Sequence, residues 1–323
     1  MKFSKLITVF AGALVVTTLL VACGTKKESN ADNAKQSQTT KSEPKKIEVT
    51  DAKGKKLTVP THPKKVVVFD NGSLDTINAL GEGKSVAAVA LKNLPPYLSE
   101  FKSVESAGGL KEPDLEKINA VQPDLIIISA RQESFKKDLE KIAPVLYLGV
   151  DNAKVWESTK ANIMTLANIY GKETEATKQV ETLEKNIAAV KEKAQKANLS
   201  TLTVLSNEGQ LAAFGPGSRY AIVNDVFGFN SVDKTIKAST HGQQVSYEYV
   251  LEKNPDVLFV VDRTKALSGK TTETLVASNE LVKQTNASKN KKVIDLDPTL
   301  WYLSGGGLQS TQLMLDGVAK ALD

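Results

Sequence analysis

SYEYVLEKNPDVLFVVDR, Ser246 to Arg263, reads as a short helix, a Pro-Asp turn and an uninterrupted apolar strand from Val257 to Val261, closed by an arginine. The same frame occurs earlier as DLEKINAVQPDLIIISAR, Asp114 to Arg131. Glu116 and Glu248, Pro123 and Pro255, Asp124 and Asp256, and Arg131 and Arg263 correspond, each pair 132 positions apart. A strand apolar at every position suits a parallel sheet buried on both faces. Open α/β sheets bind ligands beyond the carboxyl ends of such strands, which is where both arginines fall. Two copies of one unit predict two α/β lobes.

Working outward, KVVVF, VAAVA and VLYLG supply further strands to the first half, and TLTVLSNE, LAAFG and KVIDLD to the second, mostly with helical patterns between them. From Lys172 to Asn198, apolar Val180, Leu183, Ile187, Val190 and Ala194 recur every three or four residues. This is one amphipathic helix, roughly 40 Å long and able to span both lobes. The fold class is α/β, with two Rossmann-like lobes joined by one long backbone helix. The expected divisions are a leader over 1–22, a disordered tether over 23–46, a lobe over 47–168, the helix over 169–198 and a second lobe over 199–323. A helical linker resists bending, so the cleft moves little on binding.

The leader MKFSKLITVFAGALVVTTLLVACGT places Lys2 and Lys5 before an apolar run ending in Leu20-Val21-Ala22-Cys23, a lipobox. Cys23 is the single cysteine of the chain, so it forms no internal disulfide and reads as the lipid acceptor. The mature protein is then anchored by lipid alone to the extracytoplasmic face of the cell membrane. The formal charge of +5 is carried by residues 1–46, where eight lysines face Glu28, Asp32 and Glu43. The body is therefore neutral, and nothing in it asks for a nucleic acid.

Only three of the 42 basic residues are arginine, Arg131, Arg219 and Arg263. His241, in STHGQQVS, is one of two histidines. A protein-built transition-metal cage needs three or four clustered ligands, and His62 is remote, beside Pro63. SGGG, Ser304 to Gly307, lacks the Lys-Ser/Thr ending of a phosphate loop. Its glycines are expected to let backbone approach a ligand and to open the terminal helix. Tyr220 and Trp156 read as core aromatics that could also wall a ligand.

A lipobox, two α/β lobes and a long connecting helix resemble the helical-backbone (class III, cluster A) substrate-binding lipoproteins of ABC importers. SARQ, GPGSRYAIVNDVFG, STHGQQVSYEYVLEKNPDVLFVVDR and LWYLSGGG are similar to the ferric catecholate-siderophore binders, of the petrobactin and enterobactin type. The resemblance covers essentially the whole chain after the tether. It implies that Arg131, Arg219 and Arg263 converge in the cleft, that His241 and Tyr302 flank the iron, and that one acidic residue per lobe docks on a dimeric permease served by a cytoplasmic ATPase. Glu116 and Glu248 are the symmetric candidates, with Glu112 competing. The expected protein is a monomer, not an enzyme, without an intrinsic cofactor; its cargo is an Fe(III)-catecholate siderophore.

Elementary chemistry agrees. A ferric ion with three catecholates carries −3, which three permanently charged, planar guanidiniums match. A tetradentate bis-catecholate leaves two positions of octahedral Fe(III) open, and an imidazole and a phenolate, His241 and Tyr302, could fill them. His241 could instead be a loop residue, and Tyr302 a cleft-wall aromatic beside Trp301. Three other functions stay open, one of them a purely adhesive role with no pocket ligand. A haem pocket of the same fold would have one arginine too many for its propionates. A hydrolase using Ser304 or Ser246 with His241 would lack a Gly-x-Ser-x-Gly elbow.

Overall fold

Apolar runs with no polar face must be covered on both sides, and the computed structural model, which describes residues 45–92, 94–269 and 275–323, satisfies this with two separate sheets. The leader, Cys23 and nearly all of the expected tether lie outside the described residues. Lys46, expected at the end of the tether, is instead the first residue of β1 (Lys46–Thr50), which forms an antiparallel hairpin with β2 (Lys56–Pro60).

The first lobe holds β3 (Val66–Val68), β4 (Val86–Val89), β5 (Glu105–Ser106), β6 (Leu125–Ile128) and β7 (Val145–Tyr147), parallel throughout in the order β5-β4-β3-β6-β7. Val66, Val68, Leu125 and Ile127 point into one apolar cluster, and Val67, Ile126 and Ile128 into another. Helices α1 (Asn71–Ala79), α2 (Leu115–Val121), α3 (Lys136–Leu139) and α4 (Val155–Tyr170) connect or cover this sheet.

The expected connecting helix is α5 (Glu173–Ala197), about 37 Å long. It starts later than residue 169 because Tyr170 ends α4 and Gly171, with φ +63°, reverses the chain between the two helices. Near its start Gln179 Nε2 donates to the Ala79 carbonyl of the first lobe, 3.0 Å away. Further on, Asn186 Nδ2 donates to Gln312 Oε1 of the second, at 2.8 Å. One rigid element is thus fastened to both lobes.

The second lobe contains β8 (Ser200–Asn207), β9 (Gln210–Phe214), β10 (Asn230–Ser231), β11 (Gln243–Val245), β12 (Val257–Asp262) and β13 (Val293–Leu296). The order is β11-β9-β8-β12-β13, with β10 pairing the start of β8. Its helices are α6 (Tyr247–Lys253), α7 (Arg263–Ser268), α8 (Asn286–Lys289), α9 (Pro298–Leu303) and α10 (Leu308–Ala319). Among the described residues no helix is long and apolar enough to cross a membrane.

The repeat has a structural cause. In both copies the helix ends on a left-handed residue, Gln122 or Asn254, and the next proline and aspartate start the central strand. Asp124 accepts from the amides of Lys64 and Lys65, and Asp256 from the amide of Ser200, so each aspartate pins its strand to the neighbouring one.

The lobes meet where α1 lies against the start of α10. Asp75, wholly buried, accepts from the amides of Gln309 at 2.8 Å and Ser310 at 2.6 Å, capping α10 from the opposite lobe. Burial pushes its carboxyl up to about 6, against the pull of those hydrogen bonds. A Cβ at Gly72 would overlap the Gly305 carbonyl, and one at Gly307 the Gly72 carbonyl. The SGGG glycines do open α10, and they permit the close approach of α1.

Candidate functional site

Four side chains from four separate segments gather at the carboxyl ends of the two sheets. Arg131 lies in the 3-10 turn Ala130–Phe135 that follows β6. Gln132, fully buried beside it, takes the Ser129 amide on its Oε1 and donates to the Leu110 carbonyl, which fixes the turn. Arg219 follows the Gly215–Ser218 loop. There the Gly217 amide donates to Asp225 Oδ2 at 3.0 Å, and the φ of +69° at Gly217 needs glycine. Arg263 is the first residue of α7, directly after β12. Tyr302 sits at the end of α9, a helix opened by Pro298 and capped by the Asp297 carboxylate.

Helix ends leave carbonyls without intrahelical partners, and α9 uses this to collect the arginines. Arg131 Nη2 donates to the Tyr302 carbonyl at 2.7 Å, and Arg219 Nη2 to the same oxygen at 2.5 Å. The next carbonyl, of Leu303, accepts from Asn71 Nδ2 at 2.8 Å. Arg263 takes the other end of the tyrosine: its Nε donates to the phenol oxygen at 2.8 Å, while Nη1 donates to Asn207 Oδ1 at 2.6 Å. The Arg219 guanidinium stands 4.4 Å from the centre of the Tyr302 ring, within cation–π range.

These positions set the electrostatics. Burial, followed by the neighbouring charge of Arg219, lowers the Arg131 guanidinium from its ordinary value. Burial raises the Tyr302 phenol, but the Arg263 hydrogen bond and the charges of Arg263, Arg219 and Arg131 outweigh it, and the net shift is downward. Three cations and a phenol made more acidic are well suited to hold an anionic, oxygen-rich ligand and to offer one hard oxygen donor.

The four residues thus stand together; His241 lies outside this group. It is exposed, in the loop before β11, with its amide donating to Ser239 Oγ at 3.1 Å. The Ser239 carbonyl accepts from the Arg219 amide at 3.3 Å, so the loop is tied to the arginine backbone. Thr240 also meets the first lobe, through Asn152 Nδ2 at 3.4 Å. His62 packs against Gly171 at the far end of α4. Among the described residues no group of three or more His, Cys, Asp or Glu could hold a metal ion. Tyr220 is buried beneath Arg219 with its ring against Phe214 and Trp301, and Trp156 donates to Glu184 between α4 and α5; both belong to the core. Glu116 and Glu248 are exposed in the first turns of α2 and α6, and Glu112 is exposed in the preceding loop.

Sequence reasoning missed Asn207, Asp70 and Asn71. Asp70 follows β3, accepts from the Ser73 amide at 2.8 Å and lies near Arg131; burial raises its carboxyl. Asp70, Asn71 and Asn207 lie at or just beyond the carboxyl ends of strands, the rule that found Arg131 and Arg263.

Known proteins share this architecture. The family model described as periplasmic binding protein matches residues 66–300. The petrobactin-binding protein YclQ of Bacillus subtilis is 46% identical over 96% of this chain and 97% of its own length. The crystal structure of YclQ superimposes with a TM-score of 0.84 at 48% identity, over 86% of this chain and 99% of that one. The periplasmic catecholate-siderophore binding protein VctP of Vibrio cholerae gives a TM-score of 0.78 at 33% identity, over 85% of this chain and 99% of VctP.

Proposed function

This chain belongs to the periplasmic binding protein family, and we propose that it captures a ferric catecholate siderophore in the interlobe cleft and delivers it to an ABC permease. The observation that carries this is the convergence of Arg131, Arg219 and Arg263 on Tyr302. The relatives' names support the ligand class: YclQ is a petrobactin-binding protein and VctP a catecholate-siderophore binding protein.

The arginines hold the charge of the complex. The Tyr302 carbonyl and hydroxyl occupy their donors until catecholate oxygens take that place, so the guanidiniums are ordered before the ligand arrives. With a tetradentate chelator, Tyr302 and His241 supply the two remaining oxygen and nitrogen donors to iron.

Cys23 carries the lipid anchor, the segment between Cys23 and the start of β1 tethers the two lobes, and Glu116 and Glu248 dock on the two halves of a permease dimer driven by a cytoplasmic ATPase. The protein acts as a monomer and performs no covalent chemistry. Quenching of Trp301 and Trp156 fluorescence tests the reading. Ferric bis- and tris-catecholates should quench at far lower concentrations than the iron-free chelators or hemin; tight binding of hemin with none of the catecholates would overturn it.

A further inference from the structure

We propose that Asn207 is a positioning residue of the cleft: its side-chain carbonyl fixes the guanidinium of Arg263 so that the Nε edge faces the Tyr302 hydroxyl and the ligand space around it. The proposal rests on the reading of this cleft as a ferric catecholate site.

Asn207 Oδ1 and Tyr302 Oη accept from opposite corners of one guanidinium, at 2.6 Å from Nη1 and 2.8 Å from Nε. Of the three arginines, Arg263 is the one hydrogen-bonded to the phenol; Arg131 and Arg219 grip the carbonyl. Its orientation therefore decides what the phenol meets. An arginine side chain carries about 2 kcal/mol of rotamer entropy, so one acceptor alone leaves the plane free to turn, and two on opposite corners do not.

The backbone delivers Asn207 to this place. β8 and β12 are parallel neighbours with Ser206 opposite Asp262, so the next residues along, Asn207 and Arg263, leave the sheet side by side. Asn207 then enters a two-residue turn, Glu208–Gly209, with φ of +52° and +83°. Glu208 is a non-glycine residue in the left-handed region, a strained conformation. Its amide donates to Thr264 Oγ1 at 3.0 Å, so consecutive residues of the turn are fastened to consecutive residues of α7. The chemistry of the side chain fits as well. A neutral amide orients the guanidinium without cancelling its charge, whereas a carboxylate would remove one of the three charges offered to an anion.

The chain contains three arginines, so the ligand-free full chain labelled with [15N]arginine gives three Nε–H signals. In Asn207→Leu the Arg263 Nε–H should exchange with water about tenfold faster or more, while Arg131 and Arg219 are unchanged. In Asn207→Asp its protection should survive, but affinity for the ferric complex of a bis(2,3-dihydroxybenzoyl) chelator should fall. Asn207→Leu should weaken that complex about tenfold in the native background and negligibly in Arg263→Met. Unchanged Arg263 exchange in Asn207→Leu, or equal losses in both backgrounds, would overturn the assignment. If the native protein fails to bind the ferric complex, the ligand reading falls, and the exchange rates still decide the role of Asn207.

Discussion

Arg131 and Arg219, one from each lobe, donate to a single acceptor, the carbonyl oxygen of Tyr302, at 2.7 and 2.5 Å. Two cations share one neutral oxygen, and the charge of Arg219 disfavours that of Arg131. A ligand that brings anionic oxygens relieves this, so the arrangement stabilises the complex at the expense of the empty protein.

Replacing Arg131 by Met should therefore divide stability from binding. The ligand-free variant is expected to gain up to about 1 kcal/mol in denaturant unfolding, while affinity for a ferric bis-catecholate falls at least tenfold, about 1.4 kcal/mol. Loss of stability and affinity together would mean that Arg131 serves the fold.

Arg219→Lys keeps the charge but loses the planar fork and the stacking on the Tyr302 ring. The dissociation constant of the ferric complex should rise about tenfold. An unchanged constant would show that charge alone is recognised.

His241→Ala and Tyr302→Phe should weaken tetradentate ferric complexes more than hexadentate ones, because only the former leave iron positions open. Tyr302→Phe should also bleach any phenolate-to-iron absorption of the bound complex. Equal losses for both ligand types would reduce these residues to cleft walls.

The two-lobe fold was legible because it is periodic: the repeat around Pro123 and Pro255, the continuous strands and the spacing of Val180, Leu183 and Ile187 each report a local cause. The arginines were legible because they are scarce and two of them sit at equivalent strand ends. The joint between the lobes was not. Asp75 faces amides more than 230 residues away in sequence, and the glycines from 305 to 307 answer to Gly72, a partnership that no local pattern encodes. Asn207 was hidden for a similar reason: its meaning depends on β8 lying beside β12.

The joint predicts a pH dependence. The folded-state value for Asp75, about 6, lies above its ordinary 3.8, so the folded protein binds the proton more tightly than the unfolded chain does. Its contribution is fully favourable below about pH 4 and is lost as pH rises through 6, on the order of 3 kcal/mol in all. The unfolding free energy of the native protein minus that of Asp75→Asn should accordingly fall between pH 4 and 7. A difference that rises over that interval would mean that the hydrogen bonds from Gln309 and Ser310, not burial, dominate the Asp75 carboxyl.

Delivery should separate from capture. Glu116→Ala combined with Glu248→Ala is expected to leave the ferric dissociation constant within about twofold, since both side chains are exposed helix-surface acids, and to reduce iron uptake by cells. Normal uptake would remove the docking role.

The most direct test of the central claim is a crystal structure of the protein with a ferric bis-catecholate. Catecholate oxygens should replace the Tyr302 carbonyl as acceptors of Arg131 and Arg219, with the Tyr302 phenolate and the His241 imidazole bonded to iron. Arginines still seated on the Tyr302 carbonyl, with the ferric complex bound elsewhere, would contradict it.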